Sequence, residues 1–255
     1  MSSPQEIRLL GMNFADLDTA RAAAWLSARP PDAAFGYVVT PNADHLVRLR
    51  RQPALVPLYD QALLRLLDSR VVARVAASIG LDAPPVAPGS DLTGVILRGH
   101  LRPKEQLTII GLDPVHLRAL MDRTGIVLPA HHNPPSGFEH DRKSLREAVD
   151  FALAHPARFI LLAVGSPRQE ILAAAIQASG RATGVGLCIG ASLDFLSGAA
   201  TRAPVWMQQA GLEWLHRLAG NPHRMTRRYL CQCPAIFPLL LRERWEGRGT
   251  RRHAS

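Results

Sequence analysis

Hydroxyl, amide and carboxylate side chains recur where an apolar run gives way to a helix-forming one. In Ala163-Val-Gly-Ser-Pro-Arg-Gln-Glu-Ile171 the run at 159–162 ends, Ser166 stands as an N-cap, Pro167 as the first helical residue and Gln169 as the third. That is the pattern of a capping box. Such a junction is also where α/β proteins hold anionic ligands on free backbone N–H groups, so Ser166, Gln169 and Glu170 are candidates for a site as well as a cap. Tyr37-Val-Val-Thr-Pro-Asn42 brings Thr40 and Asn42 to a second junction, with Asn42 as the expected cap of a helix starting at Ala43. The run at 64–67 ends at Asp68. A carboxylate there could cap a helix, or serve as general base to a substrate hydroxyl within hydrogen-bond reach. Gly111 ends a further apolar run, and His131, His132 and Asn133 follow the next.

Other chemistries find less support. Neighbouring His131 and His132 cannot both face one ion from a regular element, and no third ligand stands at a suitable spacing. Asp16-Leu-Asp18 matches the Asp-x-Asp of metal-dependent sugar transferases only as a string, and Asp18 reads better as an N-cap. No metal is therefore expected. The chain has neither GxGxxG nor GxxxxGK[ST], so the usual dinucleotide and triphosphate loops are missing. Cys188, Cys231 and Cys233 lack metal spacing, and reduced thiols in a cytoplasmic compartment are expected.

The elements that must position these residues follow from periodicity. Strands are predicted at 7–10, 37–40, 64–67, 107–110, 126–128, 159–164 and 183–189. Helices are predicted between them, at 20–28, 43–50, 114–123, 141–154 and 168–178. Strands that are apolar throughout and alternate with helices imply a mostly parallel sheet covered on both faces, an α/β fold. Residues 81–89 (LDAPPVAPG) read as a proline-rich loop.

The 255 residues are 47% hydrophobic but only 5% aromatic, so aliphatic and alanine packing must build the core. The net charge of +9 is carried almost wholly by arginine, because Lys104 and Lys143 are the only lysines. No signal segment opens the chain, and the apolar run at 235–241 is too short to span a bilayer. The character changes near residue 200, which divides the chain into a core at 1–200 and an appendage at 201–255. There Arg217, Arg224, Arg227, Arg228, Arg242, Arg244, Arg248, Arg251 and Arg252 meet only Glu213, Glu243 and Glu246. Trp206, Trp214, Tyr229, Phe237 and Trp245 are interleaved with them. That composition fits an amphipathic, surface-seeking helical appendage as well as it fits an ordinary helix pair closing the domain.

Several longer motifs fall in order. Gly165-Ser-Pro-x-Gln-Glu170 is followed by Gly190-Ala-Ser-Leu-Asp-Phe-Leu-Ser-Gly198, Arg202-Ala-Pro-x-Trp-Met207 and Gly211-Leu-Glu-Trp-Leu-His-Arg217. Upstream stand Thr40-Pro-Asn42, Leu67-Asp-Ser-Arg-Val-Val72 and Gly89-Ser-Asp-Leu92. The series resembles the WecG/TagA/CpsF glycosyltransferase family. The resemblance implies a Rossmann-like core with a C-terminal helical appendage. It implies inverting transfer of a sugar from a UDP-sugar to a polyprenyl-diphosphate-linked sugar, giving a β-linkage in exopolysaccharide, surface-antigen or wall-polymer assembly. It further implies a metal-independent, cofactor-free enzyme, peripheral on the cytoplasmic face of the bacterial membrane and drawn to its anionic surface. Carried over by motif, Asp68 is the base, Thr40 and Asn42 line the same pocket, and Gln169 is an active-site glutamine. Asp194 lies near the nucleotide, and Arg217, Arg224 and Arg227 or Arg228 close over the donor diphosphate. Gly111, Ser166, Glu170 and Arg202 complete the expected substrate-binding set.

Two departures lie on the acceptor side. Pro85-Val-Ala-Pro-Gly89 stands where the family has Arg-Val-x-Gly, and Asp68-Ser-Arg70 where it has Asp-Gly-Met. The missing positive charge must come from elsewhere, with Arg70 the nearest source. Rival readings are a basic nucleic-acid-binding α/β protein and an NAD- or nucleotide-dependent Rossmann enzyme. The first rests on the arginine- and aromatic-rich C-terminus, and the second lacks its glycine fingerprint. No nucleic-acid partner is expected, and the oligomeric state is open, a homo-oligomer included.

Overall fold

A computed structural model describes residues 2–220, 222, 226 and 233–252. A two-stranded antiparallel hairpin, β1 (Glu6–Leu9) and β2 (Met12–Ala15), precedes the main sheet. That sheet has six strands, all parallel, in the order β4-β3-β8-β7-β5-β6. They are β3 (Gly36–Val39), β4 (Leu64–Arg65), β5 (Thr108–Gly111), β6 (Ala130–His132), β7 (Phe159–Ala163) and β8 (Val185–Cys188). The central strands β3, β7, β5 and β8 are buried nearly end to end, as apolar strands covered on both faces must be.

Right-handed crossovers decide which helix covers which face. Steps toward β4 run through α2 (Ala43–Arg51), α7 (Arg142–Ala154) and α8 (Arg168–Ala178), whose Leu46, Ala148 and Leu172 share one core. Steps toward β6 run through α5 (Gly89–Gly99) and α6 (Pro114–Thr124). Their Leu92, Ile96 and Leu120 share the other core with α1 (Thr19–Ser27) and α9 (Ser192–Ser197). A short helix α3 (Val56–Asp60) precedes β4, and α4 (Arg70–Ser78) follows it on the first face. The chain closes with α10 (Val205–Ala210), α11 (Glu213–Gly220) and α12 (Ile236–Arg252). Ile236 and Leu240 of α12 are buried in the first core, against α2 and α4.

The predicted α/β class and parallel sheet hold, but several elements move. The chain turns at Leu10 and Gly11, both at positive φ (53° and 77°), so the predicted strand at 7–10 becomes a hairpin. The strand predicted at 126–128 is absent. Gly125 caps α6 in the left-handed conformation, Val127 and Leu128 are exposed, and the ladder beside β5 is built by Ala130–His132 instead. Helices α4 and α5 were not anticipated. The proline-rich segment between them lies along the β4 edge, where Val86 pairs with Leu67 and Ala87 N–H donates to Leu67 O at 2.9 Å.

Candidate active site

Ligands of open parallel sheets bind beyond the carboxyl ends of the strands. A cavity of about 390 Å³ lies there, past β3 and β4. Asn42, Asp68, Ser69, Arg70, Val71, Val86 and Pro88 line it from the core. Gln208, Glu213, Trp214, Cys233, Pro234, Ile236 and Phe237 line it from the appendage. The backbone ladder continues past β4 to place Asp68. Leu66 N–H donates to Val39 O and Asp68 N–H to Pro41 O, each at 3.0 Å. Asp68 is thereby held beside Asn42.

The two expected caps at this edge separate. Asn42 does cap α2, its Oδ1 accepting from Asp44 N–H at 3.1 Å and His45 N–H at 3.4 Å. Its own N–H donates to His45 Nδ1 at 3.2 Å, so the box closes with histidine as the third residue. Asp68 caps nothing. Ser69 Oγ accepts from Val72 N–H at 3.2 Å and starts α4, which leaves the Asp68 carboxylate on the cavity wall. Thr40, 9% exposed, faces the first residue of α5: a Cβ on Gly89 would come within 2.8 Å of Thr40 Oγ1. The start of α5 can approach the β3 end this closely only because residue 89 is glycine.

A cluster of charge adjoins this wall. Arg202 donates through Nη2 to Asp91 Oδ1 and, at 3.2 Å, to Ser90 Oγ. Arg70 Nη2 lies 3.7 Å from Asp91 Oδ2. Arg74 of α4 donates to the Gln209 carbonyl and ties the end of α10 to the core.

The Ser166–Glu170 turn corrects a prediction. The N-cap position of α8 is Pro167, which makes no side-chain cap bond, and no capping box forms. Ser166 Oγ instead accepts from Arg48 of α2 at 2.5 Å and lies 3.4 Å from Tyr59 Oη. Gln169 Oε1 accepts the Gly190 N–H at 2.7 Å, and its Nε2 donates to Glu170 Oε1 at 3.0 Å. Tyr59 Oη also donates to Glu170 Oε1, at 3.4 Å. Gln169 and Glu170 are 4% and 1% exposed, and among the described residues Glu170 Oε2 has no hydrogen-bond partner. Burial pushes the Glu170 carboxyl above its ordinary range, against the opposing bonds from Gln169 and Ser166. The Tyr59 phenol is pushed up by burial and by the Glu170 charge. This network lies under the ends of β7 and β8, and none of its members lines the cavity.

The other predicted residues fall apart from Asp68. Asp194, in the first turn of α9, lies 4.0 Å from His116 Nδ1 and is not on the cavity wall. Gly111 ends β5 at φ +97°, where a Cβ would meet the Ala163 carbonyl carbon at 2.7 Å, so its role is close packing of two strand ends. Arg217 falls within α11, while Arg224, Arg227 and Arg228 lie outside the described residues. Sequence reasoning missed Tyr59, Arg48 and His45. His45 could have been found locally, as the third residue after the Asn42 cap, whereas Arg48 and Tyr59 gain their roles only from partners more than 100 residues away.

Metal ligands are not gathered here. Among the described residues no group of three or more His, Cys, Asp or Glu side chains could hold a metal ion. His131 Nε2–H donates to Gly111 O at 3.0 Å, while His132 stacks on Phe151 with ring centroids 5.2 Å apart. The two rings are occupied in different places.

The sequence matches the Glycosyl transferase WecG/TagA/CpsF family over residues 7–250. The chain belongs to this family. As a WecG/TagA/CpsF glycosyltransferase it is a transferase acting on sugar-nucleotide and lipid-linked sugar substrates in the general sense. The matched span takes in the hairpin, the whole sheet and most of α12, so cavity walls contributed by core and appendage both fall within it. No described helix of this glycosyltransferase is long and apolar enough to cross a membrane.

Proposed function

We propose that this chain moves a sugar, with inversion, from a UDP-sugar to a sugar hydroxyl on a polyprenyl diphosphate, forming a β-linkage in the assembly of a bacterial surface polysaccharide. The observation that carries the reading is the shared cavity of Asn42, Asp68 and Arg70 at the carboxyl end of the sheet, half walled by the appendage. Asp68 takes the proton of the acceptor hydroxyl as its oxygen bonds to the anomeric carbon. The bond from that carbon to the UDP oxygen breaks, and UDP departs with the electron pair. One general base and neutralisation of the departing diphosphate meet the needs of such a displacement. Arginine forks are suited to the second task, and the reading assigns it to Arg217, Arg224 and Arg227 or Arg228 rather than to a metal.

The same reading places the enzyme peripherally on the cytoplasmic face of the membrane. Trp206, Phe237, Leu241 and Trp245 on α10 and α12 are 63%, 42%, 49% and 74% exposed, beside Arg242 and Arg244. Large apolar side chains interleaved with cations suit an anionic lipid surface.

The test is incubation with a panel of UDP-sugars and a short polyprenyl-diphosphate N-acetylhexosamine, with mass spectrometry of the product. A one-sugar mass gain that depends on Asp68 is expected. Absence of any transfer, with UDP failing to raise the melting temperature, would overturn the reading.

A further inference from the structure

A path of side-chain hydrogen bonds joins α2 to the turn after β8, and neither Arg48 nor Tyr59, which begin it, lines the cavity. Arginine can only donate, so Arg48 Nη2 gives its proton to Ser166 Oγ at 2.5 Å. Tyr59 donates its phenolic proton to Glu170 Oε1 at 3.4 Å, which leaves the serine proton to fill the 3.4 Å contact between Ser166 Oγ and Tyr59 Oη. Gln169 Nε2 donates to the same Glu170 oxygen at 3.0 Å, and Gln169 Oε1 accepts the Gly190 N–H at 2.7 Å. The orientation of one amide is thus linked to two side chains far upstream in the chain.

Packing alone does not account for this arrangement. Tyr59, Gln169 and Glu170 are 0%, 4% and 1% exposed, and among the described residues Arg48 Nε and Glu170 Oε2 have no hydrogen-bond partner. A buried polar network with bare atoms is costlier than an apolar filling of the same shape. What the network supplies is register. Arg48 shares α2 with Asn42, whose side chain caps that helix and lines the cavity beside Asp68. The far end of the path holds Gly190, and its middle holds the Ser166 turn. Side chains locked by such supporting bonds are what keep a reacting site in geometry.

We propose that Arg48 and Tyr59 are positioning residues for sugar transfer, which set the Gln169 amide and the turns after β7 and β8 against the Asn42–Asp68 cavity without touching substrate. The kinetic consequence rests on the sugar-transfer reading, while the coupling stands on the geometry alone.

Tyr59→Phe keeps the ring and removes the hydroxyl. Amide hydrogen exchange of the full chain, read residue by residue by NMR, should show Gly190 exchanging about tenfold faster, with amides inside β7 unchanged. The kcat should fall about tenfold while KM for the UDP-sugar and for the acceptor stays within about threefold, because placement changes and contact does not. On a Gln169→Ala background the same substitution should cost less than about twofold in kcat, since its effect passes through that amide. Arg48→Met is the second variant and should show both effects. Arg48→Lys keeps a donor for Ser166 Oγ and should restore most of the loss. Gly190 exchange within about twofold of wild type in either Tyr59→Phe or Arg48→Met overturns the coupling. Faster exchange with kcat unchanged, or a full tenfold loss on the Gln169→Ala background, overturns the positioning role. If the wild type transfers no sugar, the sugar-transfer reading fails separately, and Gly190 exchange still decides the coupling.

Discussion

Gln169 Oε1 accepts the backbone N–H of Gly190 at 2.7 Å and so ties the turn after β7 to the turn after β8. The orientation of the amide is forced, since an N–H needs the oxygen, and Nε2 is then directed to Glu170. A residue that reads as a helix cap thus acts as a bridge between two strand ends at the edge where substrates of α/β enzymes sit.

Removing the bridge should loosen that edge. Gln169→Ala leaves the Gly190 N–H without its acceptor, a cost of about 1–3 kcal/mol, or roughly 2–4 °C of melting temperature per kcal/mol. Turnover should fall further than stability implies, by about 100-fold, because small displacements of a positioned loop are amplified in rate. Thermal melts and initial rates on the same preparation check both. A melt shift with unchanged rate would mean that the bridge is structural only.

Glu170 should make stability depend on pH. Burial holds its carboxyl above the ordinary 4.5, so the folded chain keeps a proton that the unfolded chain releases as pH rises past that value. The stability linked to that proton is complete below pH 4.5 and is lost as pH rises toward the folded value. Glu170→Gln removes the dependence. Its melting temperature relative to wild type should therefore be higher at about pH 8 than at about pH 5. A difference that stays constant between the two would show that Glu170 is ionised in the folded state.

Much of the sheet was legible because its signals are local. Phe159-Ile-Leu-Leu162, a short apolar run between helix-forming segments, reads as a buried strand and is one, and Asp18 and Asn42 cap the helices they precede. What failed required partners distant in sequence. Ile126-Val-Leu128 has the composition of a strand, yet hydrogen-bonding register with β5 selects Ala130–His132 and leaves Leu128 78% exposed. At the site, the strand-end positions of Asp68 and Asn42 followed from the apolar runs that end beside them and from the motifs together. Ser166 and Gln169 looked like a cap because the motif is compatible with both roles, and only Arg48 and Gly190, far away in sequence, decide between them.

Gly111→Ala tests a packing demand. Its φ of +97° is disfavoured for any residue with a Cβ, and that Cβ would lie 2.7 Å from the Ala163 carbonyl carbon, a backbone atom that cannot swing away. The backbone strain alone is about 1–3 kcal/mol, and the overlap adds to it. Chemical denaturation should show at least that loss, and a variant as stable as wild type would refute the close approach of β5 and β7 at this point.

The docking of α12 is likewise measurable. Leu240 is fully buried in the core shared with α2 and α4, and Leu10 N–H donates to Glu243 Oε2 at 2.6 Å one turn further on. Leu240→Ala should cost about 2–5 kcal/mol of docking free energy. Hydrogen exchange at 236–246 should quicken while exchange in β7 and β8 stays unchanged. Equal protection in variant and wild type would show that the helix is held by something other than this contact.

The sharpest separation is between two adjacent residues. Ser69 caps α4 through Val72 N–H, whereas Asp68 lines the cavity. Ser69→Ala should cost about 1 kcal/mol of stability, the worth of a lost N-cap, and leave turnover within a few-fold. Asp68→Asn keeps the side-chain volume and removes the base, so turnover should drop by about 10²–10⁴, far more than its change in stability implies. Rates and melts for the pair decide the matter, because a cap and a base predict opposite columns of loss. Should Asp68→Asn turn over like wild type with a competent acceptor, the proton must leave through another group, and the assignment of the base fails.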